Sequence, residues 1–154
     1  MRLTPLFIAL ALPLAPVHAQ SARDAIAPPG HERATEQYHY SAAVRAGGLV
    51  FLSGVVAGLP AAQSGPEAES AAYDRAFATI ARILEAAGTN WDHVVDITTY
   101  HTDLVAQLPA FAAVKDRYVR APYPTWTAID VDRLLPDTGL VEIKVIARMP
   151  DAAQ

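Results

Sequence analysis

The chain has 154 residues, with 12 basic and 16 acidic side chains and a formal net charge of −4. That length holds one hydrophobic core, and an apolar fraction of 52% excludes a disordered chain. The mild acidity and the lack of a basic stripe argue against a nucleic-acid partner, because phosphate binding rests on a basic footprint. With no cysteine, disulfides, thiolate nucleophiles and Cys-based metal sites drop out.

The start reads MRLTPLFIALALPLAPVHA. One positive charge, an apolar stretch of about a dozen residues and a small-residue exit form the pattern of a secretory signal. The stretch is shorter than the ~20 residues needed to span a bilayer. Residues 1–19 are therefore expected to be removed after Ala19. That leaves a periplasmic or secreted chain with no further membrane segment. Residues 20–36, with Pro28-Pro29-Gly30, read as a flexible lead-in. The folded domain is expected over 37–150.

From Gln37 the pattern alternates through Tyr38, Tyr40, Ala42 and Val44. Gly47-Gly48 makes a turn, and LVFLSGV follows. This predicts a β-hairpin. Residues 58–66, with two Gly and two Pro, form a loop. Tyr73, Phe77, Ile80 and Leu84 fall at steps of four, three and four, which predicts a helix over 67–87 with Gly88 past its end. VVDITTYH, 94–101, is a β-branched strand. A second helix is predicted over 109–119, with Pro109 in its first turn and Pro122 and Pro124 beyond its end. Strands follow over 125–131 and 139–148. In the last, Val141, Ile143, Val145 and Ala147 share one face, with Leu140, Glu142, Lys144 and Ile146 on the other. The order β-β-α-β-α-β-β implies an α+β fold, a single mixed sheet with two helices on one face. The second face carries apolar residues too, a pattern met where sheets associate.

Four segments together resemble the reactive intermediate deaminase (RidA/YjgF) family. They are YSAAVRAGGLVFLSGVV (40–56), AFATIARILEAAGTNWDHVVDITTYHTDL (76–104), FAAVKDRYV (111–119) and PTWTAIDVDRLLPDTGLVEIKVIA (124–147). The resemblance implies a chorismate-mutase-like homotrimer subunit with small-molecule clefts between subunits. It also implies hydrolysis of reactive imines without metal or organic cofactor. By the same resemblance, Tyr40 lines the cleft, Ser53-Gly54 forms its wall, and Glu142 positions the attacking water. Thr127 keeps a small polar residue in place. Two positions depart from the family. Its carboxylate-gripping arginine falls on Trp126, and its second-helix asparagine falls on Lys115. An indole has one donor and no charge, so losing the guanidinium clamp costs ~1.5–3 kcal/mol of carboxylate binding.

Each of these residues also has a plain structural reading. Tyr40 is a strand aromatic, Ser53-Gly54 a bulge or close-packing point, Trp126 an interface residue, and Lys115 a solvated helix residue. Glu142 lies mid-strand among apolar neighbours, where a carboxylate needs a partner or a function. Three functions stand open: a Rid-like hydrolase of enamines or imines with altered substrate choice, a non-catalytic periplasmic trimer that binds a small molecule, and a binding module for protein or RNA, whose RNA version the acidic charge disfavours.

Overall fold

A computed structural model of the chain describes residues 24–150; the expected export signal lies outside the described residues. The long helix α2, Pro66–Ala86, forms where the apolar stripe predicts it and buries Tyr73, Phe77, Ile80 and Leu84. Pro66 opens it, where a missing N–H is harmless. Glu67 and Glu69 sit at the positive end of its dipole. Gly88, at φ +78°, ends it. The N–H of Gly88 reaches the Glu85 carbonyl and that of Thr89 the Leu84 carbonyl, each at 2.9 Å. This is a Schellman ending, which a left-handed glycine permits.

Helix α3 runs from Leu104 to Tyr118 and starts five residues before the predicted Pro109. The stronger start signal is Asp103, whose carboxylate accepts the N–H of Ala106 at 3.1 Å. Pro109 lies inside the helix and forgoes one backbone bond in a turn beside solvent-exposed Val105. The N-terminal expectation also needs correction. Residues 24–38, read as lead-in and strand, hold strand β1, Asp24–Ile26, and helix α1, Glu32–Tyr38. Helix α1 buries no side chain, so it leaves no apolar stripe in the sequence. Its end turns through His39 at φ 57°, and Tyr40 lies in the link rather than on a strand.

The expected second strand is divided into β3, Leu49–Leu52, and β4, Val55–Gly58. Both pair with β7, Gly139–Arg148. Phe51 lies opposite Ile146 and Val55 opposite Ile143. Four steps on one strand thus match three on the other, and Ser53-Gly54 sits in a one-residue bulge. The remaining strands are β2, Ala43–Ala46, β5, Val94–His101, and β6, Thr125–Asp130. The sheet runs β1-β2-β3-β7-β5-β6. Among the described strands only β5 and β6 pair in parallel, so the sheet is mixed, as expected. Two more elements, β1 and α1, precede the predicted order.

Helix α2, on β4 and β7, and helix α3, on β5 and β6, cover the sheet face on which β7 carries Val141, Ile143, Val145 and Ala147, all buried. Phe77 is the hub of this core. Its ring lies 5.4 Å from Trp91, 5.5 Å from Phe111 and 5.2 Å from Tyr118. The opposite face stays open, with Phe51 and Ile129 each 39% exposed.

A polar chain crosses the core. His101 is fully buried. Its Nδ1 lies 3.2 Å from Gln107 Oε1 and its Nε2 3.0 Å from the Thr99 hydroxyl. Gln107 Nε2 donates to Thr102 Oγ1, which donates to the Leu140 carbonyl. Both contacts are satisfied by a neutral ring that donates from Nδ1 and accepts the Thr99 proton at Nε2. Burial pushes its pKa below the usual imidazole range.

Two outcomes follow. Phe77→Ala removes a ring packed on three sides, and urea denaturation should show a loss of about 3–5 kcal/mol. The unfolded chain takes up the His101 proton near pH 6.5, whereas the folded chain resists it. Stability is therefore complete above that pH and declines as the pH falls towards the folded pKa. Thermal melts between pH 7.5 and 5 should show this decline, with a smaller one in His101→Gln.

Candidate functional site

The bulge builds one half of the site. Ser53 donates its hydroxyl to the Ser41 carbonyl at 2.7 Å and its N–H to the Ala42 carbonyl at 2.9 Å. The serine is thus a stitch between the bulge and the segment after Tyr40. Its hydroxyl is already engaged with backbone, which is the structural reading rather than a nucleophile. Gly54 follows with its Cα facing Glu142. A Cβ there would collide with a carboxylate oxygen of Glu142 and lie 2.7 Å from its Cδ and 2.9 Å from its Cγ. Only glycine leaves space for that side chain. Tyr40 is exposed beside the Ser41 stitch. Tyr40, Ser53, Gly54 and Glu142 therefore belong to one neighbourhood.

The register places Glu142 on the open face. Tyr100 lies opposite Glu142, and Thr98 opposite Lys144. Since side chains alternate along a strand, Ile97, Thr99 and His101 point the other way, into the helices. Strand β6 follows the same division. Thr127 is level with Thr98, on the open face, and Trp126 is level with Ile97, on the helix side.

Trp126, Lys115 and their neighbours form the second half. The indole Nε1 donates to Thr99 Oγ1 at 3.0 Å, which joins it to the His101 chain. Lys115 reaches across from α3, its Nζ 4.9 Å from the indole centroid. Lys115 is only 9% exposed, so it is not the solvated helix residue of the plain reading. Its ammonium pairs with the Asp116 carboxylate at 2.5 Å. Phe111 supports the indole from the core, with ring centroids 6.1 Å apart. A pocket of about 270 Å³ opens here, lined by Ile97, Lys115, Asp116, Val119, Tyr123, Pro124 and Trp126. Among the described residues, larger hollows lie elsewhere, two of about 580 Å³ and one of about 430 Å³, and include none of the predicted site residues.

One protomer therefore gathers Tyr40, Ser53, Gly54 and Glu142 at the bulge and Lys115 with Trp126 on the far side of the sheet. It does not bring the two groups together. Asp116, Tyr123 and Thr99 were missed by sequence reasoning. Asp116 lies on the predicted second helix away from its apolar positions, and Tyr123 lies between Pro122 and Pro124. Thr99 looked like one more β-branched strand residue.

Known proteins resemble the chain in sequence and in fold. Residues 31–149 match the family model described as endoribonuclease L-PSP. The RutC family protein YjgH of Escherichia coli K12 is 38% identical over 134 residues, 84% of this chain and 97% of that protein. A solved structure of protein YjgH superposes with a TM-score of 0.71 at 34% identity, covering 86% of this chain and all of that one. RidA from the Antarctic bacterium Psychrobacter sp. PAMC 21119 gives 0.62 at 33% identity, over 71% of this chain and 88% of that one. A YjgF-family protein of Neisseria meningitidis gives 0.63 at 32%, over 77% and 93%. By the family model, by these relatives and by fold, the chain belongs to the RidA/YjgF family, whose model carries the name endoribonuclease L-PSP.

Proposed function

We propose that this protein hydrolyses a reactive imine or enamine at a site completed between two copies of the chain. The observation that carries the reading is Glu142. Its carboxylate is seated over Gly54 on a sheet face that α2 and α3 leave uncovered. The family supports a deaminase or endoribonuclease type of role. Between these, the net charge of −4 disfavours a polyanionic substrate.

In this reading the Glu142 carboxylate takes a proton from water as the oxygen attacks the imine carbon, and returns it to the imine nitrogen to give the carbinolamine. The carbinolamine then collapses: its hydroxyl proton passes through Glu142 to the nitrogen, the C–N bond breaks, and ammonia leaves a carbonyl product. The Lys115–Trp126 half supplies the surface that holds the substrate. Because the two halves sit on opposite faces of one sheet, a substrate meets both only where a second copy brings its Lys115–Trp126 edge to the Glu142 face. A homotrimer provides such clefts in cyclic order. No cofactor enters the scheme. The signal pattern in residues 1–19 would place this activity in the periplasm or outside the cell.

Trp126, standing where the resemblance expects an arginine, favours a second reading: a non-catalytic trimer that binds a small molecule in the same clefts. One assay separates the two. The purified protein is given 2-iminopropanoate formed in place by an amino-acid oxidase, and release of the keto acid is followed. The proposal expects turnover above buffer and a loss of about a hundredfold or more in Glu142→Gln. Turnover no faster than buffer would overturn the hydrolase reading and leave the binding trimer.

A further inference from the structure

Thr99 and His101 are fully buried and take no part in the proposed hydrolysis. With Gln107 and Thr102 they form an unbroken hydrogen-bonded chain from the Trp126 indole to the Leu140 carbonyl. Neither Thr99 nor His101 lines the 270 Å³ pocket, whereas Trp126 does. Any effect they have there passes through the indole. Such a tie is not routine in this core. Trp91 Nε1 is buried with no hydrogen-bond partner among the described residues.

Thr99 sets the direction of donation along the chain. Its oxygen accepts the indole N–H at 3.0 Å, and its own proton goes to His101 Nε2, also at 3.0 Å. Its other acceptor is the Thr127 carbonyl at 3.5 Å, past the ~2.5–3.0 Å of an ordinary O–H···O bond. The neutral ring therefore keeps its proton on Nδ1, facing Gln107 Oε1. A protonated ring is a donor at both nitrogens, so Nε2 would donate to Thr99 instead of accepting from it. The Thr99 oxygen would then face two donors, and the cationic one is the stronger. Its own proton would be driven to the distant Thr127 carbonyl. Asp130, the register partner of His101 on β6, favours that added proton, and burial opposes it. The ring's other neighbours, Val141 on β7 and Gln107 and Phe111 on α3, are uncharged. Lys115, paired with Asp116, lies over the indole at the pocket end of the chain.

Building on the reading of the Lys115–Trp126 half as a surface that holds substrate, we infer that Thr99 and His101 are positioning residues for the Trp126 indole, and that protonation of His101 loosens the indole and reshapes the pocket wall. A buried histidine remote from Glu142 thereby makes the second half of the site sensitive to pH.

The test is a ¹H–¹⁵N spectrum of the intact protein, with turnover left out of the readout. The two tryptophans give two indole N–H signals, and Trp126→Phe assigns them. As the pH falls from about 7.5 to 5, the Trp126 signal should move upfield in one step, with its midpoint below the ~6.5 of a free imidazole. The Trp91 signal should stay in place. The step should vanish in His101→Gln. At neutral pH, Thr99→Val should speed exchange of the Trp126 indole proton with deuterated water by about tenfold, the worth of one hydrogen bond, and Thr99→Ser should restore the wild-type rate. A wild-type Trp126 signal that stays in place, the same step in a folded His101→Gln, or unchanged exchange in a folded Thr99→Val would each overturn the inference. The wild-type titration decides the matter even where a variant fails to fold. The expected indole behaviour in a protein without imine turnover would count against the hydrolysis reading alone and uphold this one.

Discussion

Along β7, Val141, Ile143, Val145 and Ala147 point into the helices while Glu142 and Lys144 point away, and every neighbouring strand inherits that division. The period of two admits no compromise: a slip of one residue would place Glu142 in the aromatic core and expose the valines. The bulge at Ser53-Gly54 is the local adjustment that this alternation requires. It takes up one extra residue in the strand beside β7 and removes a Cβ where the Glu142 side chain must lie. A carboxylate placed in this way is held by shape, since its position follows from the absence of a side chain opposite.

The same division explains why the predicted site residues fall into two groups. Tyr40, Ser53, Gly54 and Glu142 collect around the bulge. Lys115 and Trp126 meet on the helix side, beneath the end of α3. Adjacent residues on β6, Trp126 and Thr127, are separated by the thickness of the sheet. A function that uses both groups is therefore a property of more than one copy, and the proposed hydrolysis depends on that assembly. Trp126 meanwhile has a structural partner set of its own in Thr99, Phe111 and Lys115. It is part of the wall between the core and the pocket, which makes it a shape element more than a source of charge.

Much of this was legible in the chain. The stripe Tyr73, Phe77, Ile80, Leu84 and the alternation of β7 are long periodic signals, and burial of one face enforces them. Helix α1 was not legible because it buries nothing, and the start of α3 was misjudged because Pro109 drew more weight than the Asp103 cap. Ser53-Gly54 left the reading between cleft wall and bulge open, and the Ser53 hydrogen bonds support the bulge. The burial of Lys115 could not be read at all. Its position on α3 says nothing about an indole arriving from β6, because that contact is set by strand register and not by any local pattern.

The central claim is that one working site needs the Glu142 half of one copy and the Lys115–Trp126 half of another. Chains carrying Glu142→Gln and chains carrying Lys115→Met, differently tagged, are co-expressed, purified through both tags and assayed for 2-iminopropanoate hydrolysis below saturation. Mixed trimers should recover about a third of wild-type activity, because one of the three clefts in each receives an intact half from each kind of chain. Activity no higher than that of either variant alone would contradict the shared site.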